Sequence, residues 1–201
     1  MPDSPRSFAG DNNLEKQQEE IDLRQRLLKS RTVLLAENIT KDLAERITTK
    51  FLLLEQESES EPINLYINSP GGDVDAGFSI YDIARFVSAP VRCISTGLTA
   101  SAAVVVLLAA PKERRFSLPN SRFLMHQPST GVRGSTADIR IEANEILKIR
   151  EKINKLISEE TGQPVEKVEN DTRRNYWIDA EEAQEYGLIS KIIQKRSDIS
   201  G

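Results

Sequence analysis

The chain has one cysteine and one histidine in 201 residues. A lone Cys93 rules out an intrachain disulfide, and no zinc-ligand spacing occurs, so neither a metal nor any other cofactor is expected. Set in an apolar stretch, Cys93 reads as a small buried hydrophobe. A basic field is also missing: 27 Lys and Arg stand against 31 Asp and Glu, for a net charge of -4 with both signs mixed. That argues against nucleic acid and an anionic membrane surface, and for protein partners. The longest apolar run, SAAVVVLLAA from Ser101, is far short of the roughly 18 to 20 residues that span a bilayer. The opening MPDSPRSFAGDNN lacks the basic-then-apolar order of a secretory signal, so a cytoplasmic location is expected. No Walker A sequence occurs, which leaves the chain without a visible nucleotide site.

What is present reads as one domain. Residues 1–20 are polar and charged and are expected to form a flexible tail, because they cannot bury enough apolar surface to offset their ordering entropy. Residues 21–195 form the domain, and 196–201 a C-terminal tail. Ile21, Leu23, Leu27 and Leu28 begin an amphipathic segment before the strand RTVLLA. Leu43, Ile47, Phe51 and Leu54 then recur at helical spacing behind a capping Thr40. INLYIN is an alternating strand leading into SPGG, and the helix AGFSIYDIARFV is broken before Pro90. VRCIST predicts a buried strand, GLT a sharp turn, and SAAVVVLLAA a buried helix ending at Pro111. RFLMHQP reads as a strand closing in a loop. A Gly/Ser/Thr segment, STGVRGST, opens a long helix with Ile139, Ala143, Ile146, Ile153 and Leu156 on one stripe, ending at Thr161-Gly162. A short helix PVEKVEND, a strand approached through TRRNYWI, a helix with a capping box at Asp179 and Glu182, and the strand LISKII complete the chain. Helices between apolar strands define an α/β fold.

The residues that carry chemistry are Ser101 and His126. A serine at the first turn of a helix faces unpaired N–H groups and the positive end of the dipole, which favours negative charge developing on a bound oxygen. The bland alternative is an N-cap, the commoner role for a serine ahead of an apolar run. His126 lies at a sheet rim before Gln-Pro, where catalytic groups tend to sit, although a lone histidine is usually structural. Pro-Gly-Gly is by itself common turn chemistry.

Together the blocks LYINSPGGDVDAGFSIYD, GLTASAA and RRFSLPNSRFLMHQP resemble the proteolytic subunit of the Clp protease, ClpP, over roughly residues 22 to 195. The resemblance implies a ClpP/crotonase-like repeated ββα fold with a protruding strand-helix handle at about 127–160, joining two rings. It implies a serine endopeptidase that hydrolyses unfolded proteins delivered by a AAA+ unfoldase such as ClpX, ClpA or ClpC. The assembly would be a tetradecamer of homo-oligomeric rings, or mixed rings with a second ClpP-type subunit. By the same resemblance Ser101 and His126 are nucleophile and base, and the N–H groups of Gly72 and Ala102 form the oxyanion hole.

Several positions depart from the family pattern. The third catalytic residue is an aspartate in D-T-x-R-D-x-F-L; here DTRRNYWI puts Asn175 at that place, with Asp171 four residues away as the other candidate. An asparagine can accept the imidazole N–H but brings no charge to stabilise the imidazolium. Arg173 stands where the family commonly carries an acidic residue of a charge pair that senses ring assembly, so two arginines adjoin. Asn64 replaces a tyrosine of the pocket that docks the ATPase, while Tyr66 is kept. Ser129-Thr130 and Ser135 also differ in the handle, and of the N-terminal segment only RLLK is retained. Three readings follow: a serine peptidase subunit, a mainly structural subunit of a mixed ring, and a crotonase-type acyl-CoA enzyme, against which the Ser101/His126 pair argues.

Overall fold

The computed structural model describes residues 21–23, 25–128, 131 and 133–199. The expected tail over 1–20 and most of the handle's strand, at 129, 130 and 132, lie outside them. Among the described residues the fold is a seven-stranded sheet, β1 (Thr32–Leu35), β2 (Ile63–Ser69), β3 (Val91–Ala100), β4 (Arg115–Ser117) and β7 (Lys191–Ile192) side by side and parallel, with β5 (Arg122–Met125) and β6 (Tyr176–Asp179) attached through β3. Helices α1 (Lys41–Glu57), α2 (Val74–Phe86) and α3 (Ala102–Leu107) follow β1, β2 and β3 in turn. In α1 the Thr40 hydroxyl accepts from the Leu43 N–H, and Leu43, Ile47, Phe51 and Leu54 are buried at the predicted spacing. Each such side chain contributes roughly 1.5–3 kcal/mol through apolar burial.

The turn expected at GLT is not there. β3 runs unbroken from Val91 to Ala100, and the chain reverses only at Ser101. Gly97, at φ 96°, instead absorbs an irregularity within the strand, where Ile67 pairs with Ser95 but Ser69 with Thr99. The Asn68 side chain repairs the gap by accepting from the Leu98 N–H at 2.9 Å. This kink lets one strand serve two neighbours: Cys93–Ser95 pair with β4, and Leu98–Ala100 with β5. Without it Ser101 would not reach the sheet edge beside β5.

The buried run after Ser101 is helical only to Leu107, shorter than expected. The reason is Arg115, wholly buried, whose guanidinium donates to the Ala110 and Leu108 carbonyls and so satisfies groups that a longer helix would bond internally. The same guanidinium pairs with Glu160 and donates to its backbone carbonyl, tying down the end of α4 (Thr136–Thr161). That helix is about 39 Å long for its 26 residues. Only Ile153, Asn154, Ile157 and Thr161 of α4 are buried, while Ile139, Ile141 and Leu147 are exposed. Ile139 and Ala143 therefore do not face the core; the first half of α4 projects as a handle, and its second half packs on the body.

Two short helices follow, α5 (Val165–Asp171) and α6 (Ala180–Tyr186), the latter with the expected Asp179/Glu182 capping box. LISKII forms a strand only at Lys191–Ile192. The C-terminal tail expected from 196 is also corrected: residues 196–199 form a 3-10 turn, and Ile199 packs with Ile94, Phe116 and Ile193 against Tyr66. Cys93 is fully buried, and burial pushes its thiol up to about 12, which leaves it a packing residue. Among the described residues no helix is long and apolar enough to cross a membrane, and no group of His, Cys, Asp and Glu could hold a metal ion.

Candidate active site

Ser101 has a backbone that serines rarely adopt, φ 57° and ψ -123°. Such a conformation costs on the order of 1–3 kcal/mol and persists only where surroundings impose it. Here they do. Its N–H donates to the Leu124 carbonyl at 2.8 Å, and its carbonyl accepts from the Val104 N–H at 2.9 Å, so sheet and helix each hold one side of the residue. Ser101 is the N-cap residue of α3, but its side chain makes no capping hydrogen bond, which leaves the hydroxyl available.

The hydroxyl shares a cleft with His126, walled by Val74, Val105, Met125 and, from α4, Ile153 and Ile157. The cleft holds only about 20 Å³, room for about one water molecule. No hydrogen bond joins Ser101 to His126 among the described residues. The His126 Nδ1 instead lies 2.8 Å from the carbonyl oxygen of its neighbour Gln127. With the proton on Nδ1 donated to that carbonyl, Nε2 keeps a lone pair, which is the tautomer a general base requires.

The SPGG turn lies directly against Ser101. A Cβ on Gly71 would sit 2.6 Å from the Ala100 carbonyl oxygen and 2.7 Å from the Ser101 Cβ, at a φ of 92° that side chains avoid. Sequence reading singled out Gly72 and missed this contact; the only signal was the paired glycine itself. Gly72 forms a bridge with Ile39 that uses the Gly71 carbonyl and the Asp73 N–H, leaving the Gly72 N–H out of the ladder. The Ala102 N–H heads α3 immediately after Ser101.

Asn175 is exposed and makes no hydrogen bond to His126, whose Nδ1 lies against the Gln127 carbonyl. His126 and Asn175 each adjoin the last pair of the ladder between β5 and β6. β5 and β6 pair Leu124 with Trp177 and Met125 with Tyr176, where the ladder ends; beyond it the Gln127 N–H donates to the Thr172 carbonyl at 2.8 Å. Asp171 is engaged elsewhere: its carboxylate accepts from Lys167 at 2.6 Å and from the Tyr186 hydroxyl at 2.9 Å. Burial and that carboxylate push the Tyr186 hydroxyl pKa upward, so the phenol stays a donor to Asp171. Asn64 and Tyr66 share one face of β2; Tyr66 covers the Ile94/Phe116/Ile193/Ile199 cluster, and the buried Asn64 Oδ1 finds no partner among the described residues.

A serine on a strained strand-to-helix turn, beside a histidine at the end of the adjoining strand, on a mostly parallel sheet with an outlying helix, defines a serine hydrolase of the ClpP-like fold. Residues 15–196 match the Clp protease family, and the chain belongs to it. It is 51% identical over 196 residues to the ATP-dependent Clp protease proteolytic subunit 2 of Treponema denticola, covering 96% of this chain and 98% of that one. Against proteolytic subunit 3 of Rhizobium etli it is 47% identical, over 86% of this chain and 89% of the other. A solved structure of an Asn-to-Asp mutant of ClpP1 from Listeria monocytogenes superposes with a TM-score of 0.82 at 44% identity, covering 88% of this chain and 99% of that one. The chain is thus a serine-type endopeptidase subunit of the Clp system, and the crotonase-type reading falls away.

Proposed function

We propose that Ser101 is the nucleophile, His126 its general base, and the Gly72 and Ala102 N–H groups the oxyanion hole of a peptide-bond hydrolysis. The observation that carries this reading is the strained, uncapped Ser101 turn sharing its cleft with His126. His126 Nε2 takes the Ser101 proton as the hydroxyl oxygen attacks the scissile carbonyl, and returns it to the leaving amine; water then hydrolyses the acyl-enzyme by the same path in reverse. The walls of Val74, Val105, Met125, Ile153 and Ile157 suit an apolar side chain next to the scissile bond. At about 20 Å³ the cleft must widen to admit one. Asn175 is the third group: it accepts the Nδ1 proton once the ring leaves the Gln127 carbonyl, and without a charge it supports the imidazolium weakly.

The chain works in the cytoplasm as part of a ring assembly, hydrolysing unfolded polypeptides fed by a separate AAA+ ATPase. The neutral Asn175 favours a weakly active subunit that relies on a second ClpP-type subunit in a mixed ring. Ser101→Ala should abolish both cleavage of short fluorogenic peptides and labelling by a fluorophosphonate, with the assembly mass unchanged. Undiminished turnover in that variant would remove Ser101 as nucleophile. Equal activity of the homo-oligomer and a mixed ring would remove the dependence on a second subunit.

A further inference from the structure

The SPGG turn that carries the Gly72 N–H is made of residues that give a turn little to hold it. Gly71 and Gly72, at φ 92° and 149°, have no side chain to pack, and Pro70 has no N–H to donate. What fixes them comes from residues 37–39, the segment after β1, and from Ser69, the last residue of β2. The Ile39 N–H donates to the Gly71 carbonyl at 2.8 Å, and the Asp73 N–H donates to the Ile39 carbonyl at 2.9 Å. In a trans peptide the C=O and N–H point opposite ways, so the first of these bonds aims the Gly72 N–H, which shares that peptide unit, away from Ile39. The other peptide plane of Gly71 is held by Ser69. Its hydroxyl accepts from the Gly71 N–H at 3.1 Å and donates to the Glu37 carbonyl at 2.6 Å. Ser69 and Gly71 are both buried, so water is a poor substitute for that hydroxyl.

Resting on the reading of the Gly72 N–H as an oxyanion-hole donor, we propose that Ser69 is a positioning residue of the hydrolysis: its hydroxyl locks the Gly71 backbone and so holds the Gly72 N–H on the oxyanion that forms at the scissile carbonyl. With both peptide planes of Gly71 tied, its φ and ψ are set and the peptide between Gly71 and Gly72 cannot swing. Without the hydroxyl, one plane is released at a residue that has the widest backbone freedom of any. The place of the turn matters as much as its bonds. A Cβ on Gly71 would meet the Ala100 carbonyl oxygen and the Ser101 Cβ, so the backbone that Ser69 fixes is the backbone packed on the nucleophile. The hydroxyl itself acts only through that backbone. A donor misplaced by a fraction of an ångström is felt as charge develops on the oxygen, more than when substrate binds.

The test compares Ser69→Ala with Ser117→Ala in the assembled protein. Ser117 is as fully buried, and its hydroxyl donates to the Leu118 carbonyl at 2.9 Å, so its loss measures what removing a buried hydroxyl does on its own. With a short fluorogenic peptide, Ser69→Ala should lower kcat by about 10- to 100-fold and leave KM within about twofold of the parent, while Ser117→Ala should stay within about twofold in both. Ser69→Cys fills the same space with a weaker hydrogen-bonding group and should show the same loss in smaller measure. A peptide boronate gives a second readout. Its boron takes the Ser101 oxygen as the hydroxyl proton passes to His126, and the tetrahedral anion so formed places an oxygen in the hole. Its Ki should weaken in Ser69→Ala by about the same factor as kcat, whereas Kd for the uncleaved peptide, read by fluorescence anisotropy in a Ser101→Ala background, should not change. If Ser69→Ala and Ser69→Cys lose no more kcat than Ser117→Ala, or if the loss falls on KM and leaves the boronate Ki unchanged, Ser69 merely completes the end of β2 and the proposal fails. Boronate binding that survives Ser101→Ala would instead sink the reading of Ser101 as nucleophile, and the positioning role with it.

Discussion

Replacing Asn175 by Asp puts a charge where the structure has only a neutral amide. The ladder between β5 and β6 ends at Met125 and Tyr176, so His126 and residue 175 each follow directly on a paired strand residue. At about 5 Å a carboxylate and an imidazolium attract by roughly 3 kcal/mol at an effective dielectric constant near 20, and by under about 1 kcal/mol in bulk water. Asn175 is exposed, which places the interaction in the lower part of that range. Turning the ring away from the Gln127 carbonyl also gives up one neutral hydrogen bond worth about 1 kcal/mol, and Arg173 and Arg174 compete for the new carboxylate. A net gain of up to about 1 kcal/mol remains, or at most roughly 5-fold in kcat. That is well short of the roughly ten-thousand-fold that loss of the aspartate costs in a preorganised serine-protease triad. The gain should appear in kcat and in the rate of fluorophosphonate acylation, with KM little changed, because the imidazolium exists only as the reaction proceeds. Light scattering on the same samples establishes that parent and variant form the same assembly. An Asp variant of unchanged mass that acylates no faster would refute the reasoning and make alignment of the ring, not its missing counter-charge, the limit on this subunit.

Gly71→Ala places a Cβ 2.7 Å from that of Ser101 at a φ of 92°, so fluorophosphonate labelling should slow by about a hundredfold or more while circular dichroism shows the fold intact; parent-like labelling would remove the supporting role given to this turn. Glu160→Ala leaves the buried Arg115 guanidinium with carbonyl partners only, and should cost about 3 kcal/mol, lowering Tm by roughly 6–12 °C, whereas Arg85→Ala at the half-exposed end of the same network should cost under about 1 kcal/mol. Equal effects of the two substitutions in a thermal melt would show that burial does not decide the weight of this network.

Much of the molecule was legible from order in the chain alone. Thr40 ahead of α1, Asp179 with Glu182 ahead of α6, and the spacing of Leu43, Ile47, Phe51 and Leu54 concern residues within a turn or two of each other, where capping and periodicity act directly. The three motif blocks likewise pointed to Ser101 and His126, which line one cleft. Tertiary structure decided the rest, because the outcome depended on partners that sequence distance hides. GLT looked like a turn, yet Asn68, some thirty residues earlier, supplies the hydrogen bond that keeps the strand going through Gly97. The apolar run after Ser101 looked like one helix, yet Arg115 takes its last carbonyls. Asp171 was a plausible partner for His126 until Lys167 and Tyr186 claimed its carboxylate. The segments that carry His126 and Asn175 come together only through the pairing of β5 with β6, and Gln127, Arg150, Arg173 and Arg174 line one hollow although they are far apart in the chain. Propensity and capping are settled by local backbone geometry; register, and the competition of side chains for one carbonyl or carboxylate, are settled only when distant segments pack.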